Sequence, residues 1–179
     1  MDLKDKYIFR PYNPIFPELF KNEKERMEKI LGDNLQIEHI GSTAVLGLGG
    51  KGVIDILISI PKNQWPGTAA KLKSLGYEYR KKDEEREKEK LFFMADLPDN
   101  EFGTRLYHVH LTYPESYELK KSLGFRNFLR THPKEREEYA EIKRRASESV
   151  KNLPTKDEMR DLYGKTKNDF IERTIMKLK

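Results

Sequence analysis

The chain has 179 residues, long enough for one well-buried core and too short for two, so one domain is expected over residues 1–179. It contains no cysteine, which excludes disulfides, thiolate metal sites and thiol nucleophiles. There is no apolar run of about 18 residues, and the start Met1–Lys6 lacks the apolar core of a secretory leader, so a cytoplasmic protein without a membrane partner is expected. The net charge is +5 and unevenly spread: residues 120–179 hold 17 Lys/Arg against 10 Asp/Glu. That surplus can draw phosphate-bearing partners, nucleic acid among them, although the interleaved signs better suit ordinary solvated helices.

Pro14 to Leu31 carries Phe16, Leu19, Phe20, Met27, Ile30 and Leu31 near helical spacing, with Pro17 in the first turn and Gly32 as the stop. Leu35 to Ile40 follows as a short strand. Gly41 to Gly52 is too rich in glycine for helix or strand and is expected to be a loop. Val53 to Ile60 is a nearly continuous β-branched run, the pattern of a strand covered on both faces. Thr68 to Leu75 predicts a helix closed by Gly76, and Tyr77 to Tyr79 a further strand. The mixed-sign run Lys81 to Lys90 is expected to be an exposed connection. Leu91 to Asp96 and Arg105 to Tyr113 predict paired strands around Pro98–Gly103. Beyond Pro114 the pattern is helical, with breaks at His132-Pro133 and Asn152-Leu153-Pro154. The expected class is α/β, or α+β with a mixed sheet, with helices packed on one side and a C-terminal helical segment.

Three features can carry chemistry. Asp55 stands alone in an apolar strand, where an unpaired carboxylate would cost several kcal/mol; a metal ion, a cation or loop N–H groups must compensate it, and a purely structural clamp on the loop is the plain alternative. The preceding loop offers Gly41, Ser42 and Lys51, a set able to approach phosphate oxygens with backbone N–H, hydroxyl and ammonium groups. Its spacing is neither a P-loop nor a dinucleotide fingerprint. In Tyr107–Thr112, strand alternation places His108, His110 and Thr112 on one face, so two imidazoles stand one strand repeat apart, able to share a divalent metal or to move protons, against the commoner outcome of paired core or surface histidines. His39 can join only if the sheet carries it towards Asp55. Arg126 and Arg130, one helical turn apart, and Lys167 are further candidates for neutralising phosphates, against the commoner fate of a solvated surface charge.

The segments Ile37–Val45, Gly47-Leu48, Lys51, Ile54–Leu57, Leu75–Tyr77, His108–His110, Phe125–Pro133, Tyr139–Arg144 and Lys167–Ile171 together resemble the GrpB family, in order and over nearly the whole chain. The resemblance implies a nucleotidyltransferase-like core, in which a Gly-Ser loop holds nucleotide phosphates. In such cores two acids one residue apart on the next strand, and a third on a later strand, hold divalent metals. Gly41-Ser42 and Asp55 match that pattern. The second acid is replaced by Leu57, and His108 and His110 stand on the later strand. Two expectations follow. One is a nucleotidyltransferase or related phosphate-ligand enzyme, assisted by Mg, Mn or Zn held by Asp55, His108 and His110, with a nucleoside triphosphate as substrate. The other is a protein that binds a nucleotide or small phosphorylated ligand on the same core without catalysis.

Overall fold

The computed structural model describes residues 7–33 and 35–177. Helix α1 (Phe16–Leu31) leads into strand β1 (Gln36–Ile40), and a 3-10 turn at Ser42–Ala44 opens the glycine-rich loop. Strand β2 (Ile54–Ser59) follows, then α2 (Trp65–Ser74), β3 (Glu78–Tyr79), α3 (Glu84–Glu89) and the hairpin β4 (Leu91–Asp99) and β5 (Gly103–Thr112). Three helices finish the chain: α4 (Tyr117–Thr131), α5 (Pro133–Val150) and α6 (Lys156–Met176). The sheet order is β1-β2-β5-β4-β3, with β2 and β5 parallel and the other neighbours antiparallel. This is the expected mixed α/β class with a C-terminal helical segment.

The two-sided covering read from β2 holds, but the helices do not share one side. Ile54, Ile56 and Ile58 pack with Tyr107, Val109 and Leu111 against Phe16 and Met27 of α1 and Trp65 and Leu72 of α2. Leu57, on the opposite face, packs with Ile40 and Leu119 of α4. The sheet is therefore a middle layer, which the apolar run alone could signal without saying which segments cover it. The run 81–90, expected as a connection, includes α3: Asp83 caps it by accepting from the Arg86 N–H, and three acids stand in its first turn. It has no apolar face, so periodicity has nothing to detect.

The strand end nearest the glycine loop is fixed by Arg105. Its Nε lies 2.6 Å from Asp99 Oδ2, and both side chains are 4% exposed. Its Nη1 donates to the Gly52 carbonyl at 2.9 Å, and its guanidinium covers the rings of Phe16 and Phe102. One side chain thus ties the β4–β5 hairpin, α1 and the loop together. Arg105→Met leaves the Asp99 carboxylate without its cation, and a loss of about 3 kcal/mol is expected in urea unfolding. The double variant with Asp99→Asn recovers part of it, because no buried charge is then unpaired.

Candidate functional site

Parallel pairing of β2 with β5 sets Asp55 opposite His108 and Leu57 opposite His110. Strand alternation turns Asp55 away from the isoleucine face, toward the C-terminal helices. Its Oδ1 lies 3.0 Å from His108 Nδ1, with 23% of the Asp55 side chain and 19% of the His108 side chain exposed. Burial works to raise the Asp55 pKa, but the hydrogen bond from His108 and the nearby Lys51 charge help to outweigh it and hold the carboxylate below its ordinary value. An ionised carboxylate only accepts, so Nδ1 of His108 is the donor and Nε2 is left as the accepting nitrogen. Phe92 meets the imidazole edge-on at 5.0 Å, fixing its plane.

The loop is built around this carboxylate. Gly41 has φ 72° and ψ −169°, a conformation almost confined to glycine. A Cβ there would lie 2.3 Å from Asp55 Oδ2. The loop's apolar residues Val45 and Leu48 are buried among Phe128 and Leu129 of α4, Tyr139 and Ile142 of α5 and Phe170 of α6. Its far end pairs with the N-terminal segment, Arg10 and Gly50 exchanging backbone bonds of 2.7 and 2.8 Å.

The two arginines expected at phosphates have partners in the fold. Arg126 donates to Glu38 and to the His39 carbonyl, each at 2.8 Å. Arg130 holds the Ala44 carbonyl through Nε and Nη2 at 3.0 and 2.8 Å. Both fasten α4 to β1 and the loop. His39 lies on the other face of the sheet from Asp55, stacked on Phe20 with centroids 4.6 Å apart. Its Nε2 is 3.0 Å from the Thr43 hydroxyl, which donates to the Val53 carbonyl, so His39 braces the loop from behind.

The metal triad of Asp55, His108 and His110 is not assembled. Among the described residues no three His, Asp or Glu side chains form a group able to hold a metal ion. His108 takes up Asp55 directly, whereas His110 is displaced by a full strand repeat, roughly 7 Å. Its Nδ1 is buried without a partner, and burial lowers its pKa to about 3, leaving a neutral ring beside Phe92. What gathers round Asp55 is amines. Its charge is felt by Lys51 from the loop, Lys143 from α5 and Lys167 from α6. Lys167 was among the candidates; Lys143 was not. The sequence does carry a signal for it: Tyr139, Ile142, Lys143, Ala146 and Val150 share one buried stripe of α5, so one lysine of a charged run sits at a core position.

Beyond His108 opens a cleft of about 490 Å³, lined by His108, Phe92, Tyr7 and Tyr79 and by the cations Lys51, Arg80, Lys81, Lys82 and Arg160. It brings the run 80–82 to the candidate site, a convergence that only the β3–β4 pairing creates.

Fold and site together define a mixed α/β protein with a carboxylate–imidazole pair under a glycine loop, facing a basic cleft. The family model for GrpB protein matches residues 7–177, and the chain belongs to the GrpB family. It is 33% identical over 173 residues to a UPF0157 protein of Pseudomonas aeruginosa, covering 96% of this chain and 67% of that one. It is 26% identical to the glutamate-rich protein GrpB of Alkalihalophilus pseudofirmus over 96% of this chain and 95% of that one. The crystal structure of GrpB from Enterococcus faecalis superposes with a TM-score of 0.69 at 24% identity, covering 93% and 98% of the two chains, a likeness of fold.

Two outcomes test this geometry. Gly41→Ala forces a side chain into the Asp55 carboxylate and a conformation that alanine avoids; the expected loss in denaturant unfolding is about 2 kcal/mol or more. The second concerns His39, whose pKa burial lowers from 6.5 to about 4. As pH falls below the ordinary histidine value the unfolded chain binds a proton that the folded one refuses, so stability falls. His39→Gln removes this term, and the slope of unfolding free energy between about pH 4.5 and 6 is expected to drop by up to ~1.4 kcal/mol per pH unit.

Proposed function

We propose that this protein is a nucleotidyltransferase-like enzyme that takes a nucleotide or related polyphosphate in the basic cleft, with His108 as general base and Asp55 as its positioning residue. The observation that carries this is the Asp55–His108 hydrogen bond at the base of a cleft walled by five cations. The Gly41-Ser42 turn ahead of β2, with Asp55 on β2 and the histidines on the later strand β5 beside it, supports this reading. In the step proposed, Nε2 of His108 takes the proton of an acceptor hydroxyl. The freed oxygen attacks the α-phosphorus, the bond from that phosphorus to the bridging oxygen breaks, and pyrophosphate leaves with its charge met by lysines. The ionised Asp55 stabilises the imidazolium that forms.

Purified full-length protein incubated with each nucleoside triphosphate and small-molecule, protein and RNA acceptors is expected to release pyrophosphate. His108→Gln is expected to lower kcat by roughly 10²–10⁴-fold. Asp55→Asn is expected to lower kcat while KM for the nucleotide stays within about threefold, because it acts through the imidazole. Intact nucleotide across all acceptors would remove the enzyme reading.

One observation favours a second reading, binding without turnover: Leu57 stands where a second carboxylate would be and is buried against Ile40 and Leu119. A nucleotide that raises the thermal midpoint without being consumed would select it. Nucleic-acid binding along the C-terminal helices draws less support, since Arg144, Lys151, Arg160 and Arg173 all pair with neighbouring acids.

A further inference from the structure

Lys143 is 3% exposed, and its Nζ is buried without a hydrogen-bond partner. Such a group costs several kcal/mol unless something completes it. A Cβ built on Gly50 would lie 2.9 Å from Lys143 Nζ and 2.7 Å from Ser42 Oγ, so the amine and the hydroxyl both pack against the Gly50 backbone and stand close to each other, which a side chain at position 50 would prevent. Lys167 lies over the ring of Tyr163, its Nζ 4.5 Å from the centroid. Lys51 lies 5.0 Å from the same ring and 4.6 Å from that of Tyr7. Burial, with the charges of Lys167 and Lys51 beside it, drives the Lys143 pKa well down, and Asp55 opposes them.

Three amines therefore share one carboxylate, and that carboxylate is already hydrogen-bonded to His108. A divalent cation would be repelled by each of these amines that carries its proton; an anion entering the group would favour the protonated form that burial disfavours in Lys143 and Lys167. We propose that Lys143, with Lys51, Lys167 and the Ser42 hydroxyl, forms a phosphate-binding site that needs no divalent metal, the ammonium groups supplying the neutralisation that carboxylate-bound ions supply elsewhere. The site rests on the phosphate-ligand reading above and adds what neutralises the charge: an α5 lysine. In the transfer step it would receive the leaving pyrophosphate.

The test is calorimetric titration of full-length protein with inorganic pyrophosphate in EDTA. Binding is expected there, and Lys143→Met is expected to weaken it by about tenfold or more while raising the thermal midpoint of the ligand-free protein, since a buried unpaired amine is gone. Lys167→Gln, at a half-buried position, is expected to weaken it as well and serves if Lys143→Met does not fold. No binding in EDTA, binding that appears only when Mg²⁺ is added, or undiminished affinity in both variants would overturn the proposal. Pyrophosphate bound in EDTA with every nucleotide left intact keeps the site and removes the enzyme reading. Turnover confined to Mg²⁺, with no binding in EDTA, does the reverse.

Discussion

A negative charge held inside the layer between sheet and C-terminal helices governs this structure. Asp55 stays ionised there because His108 donates to it and Lys51 stands within electrostatic reach, and its charge in turn favours protonation of the Lys143 and Lys167 amines. That requirement explains features otherwise unrelated. The loop must begin with a glycine in a conformation other residues avoid, because a methyl group would strike the carboxylate. β5 must run parallel to β2 and in this register to bring an imidazole opposite. The helices must follow the sheet, since α5 and α6 bring two of the amines.

Much of the architecture was legible in the residues. The β-branched run around Asp55 marks β2 as covered on both faces, and alternation in Tyr107–Thr112 separates the two histidines from Tyr107, Val109 and Leu111, as the core arrangement bears out. The prolines and Gly32 delimit the helices to within a few residues. What escaped was of three kinds. α3 is held by a cap and its charges, with no apolar stripe to detect. Which helices cover which face depends on long-range pairing that local pattern does not encode. The roles of cations depend on rotamer and packing: Arg126 and Arg130 look alike along a helix, yet each finds a carbonyl of the β1–loop segment.

Arg105 and Lys143 show how much was hidden in plain pattern. Arg105 precedes Tyr107, Val109 and Leu111 at strand spacing, and so belongs to the core face of β5, where its buried pairing with Asp99 is the natural outcome. Lys143 lies within the buried stripe of α5. In both cases a charge occupies a position that periodicity assigns to the interior, and the interior supplies a reason. For Arg105 the reason is a carboxylate already present. For Lys143 there is the Tyr139 ring at 5.2 Å and the field of Asp55, but no hydrogen-bonding partner for its Nζ, and that asymmetry separates a structural charge from one proposed to meet a ligand.

Val45 and Leu48, buried among the aromatic residues of α4, α5 and α6, bind the glycine loop into the helical half as tightly as backbone pairing binds its far end to the N-terminal segment. The helices therefore cannot swing off as a lid while leaving the glycine loop in place on the sheet. Any opening large enough to expose the loop would pull its two apolar anchors into water and release the lysines together. A ligand of the proposed site would enter through the cleft beside His108, and sheet and helices should melt as one cooperative body rather than as two modules.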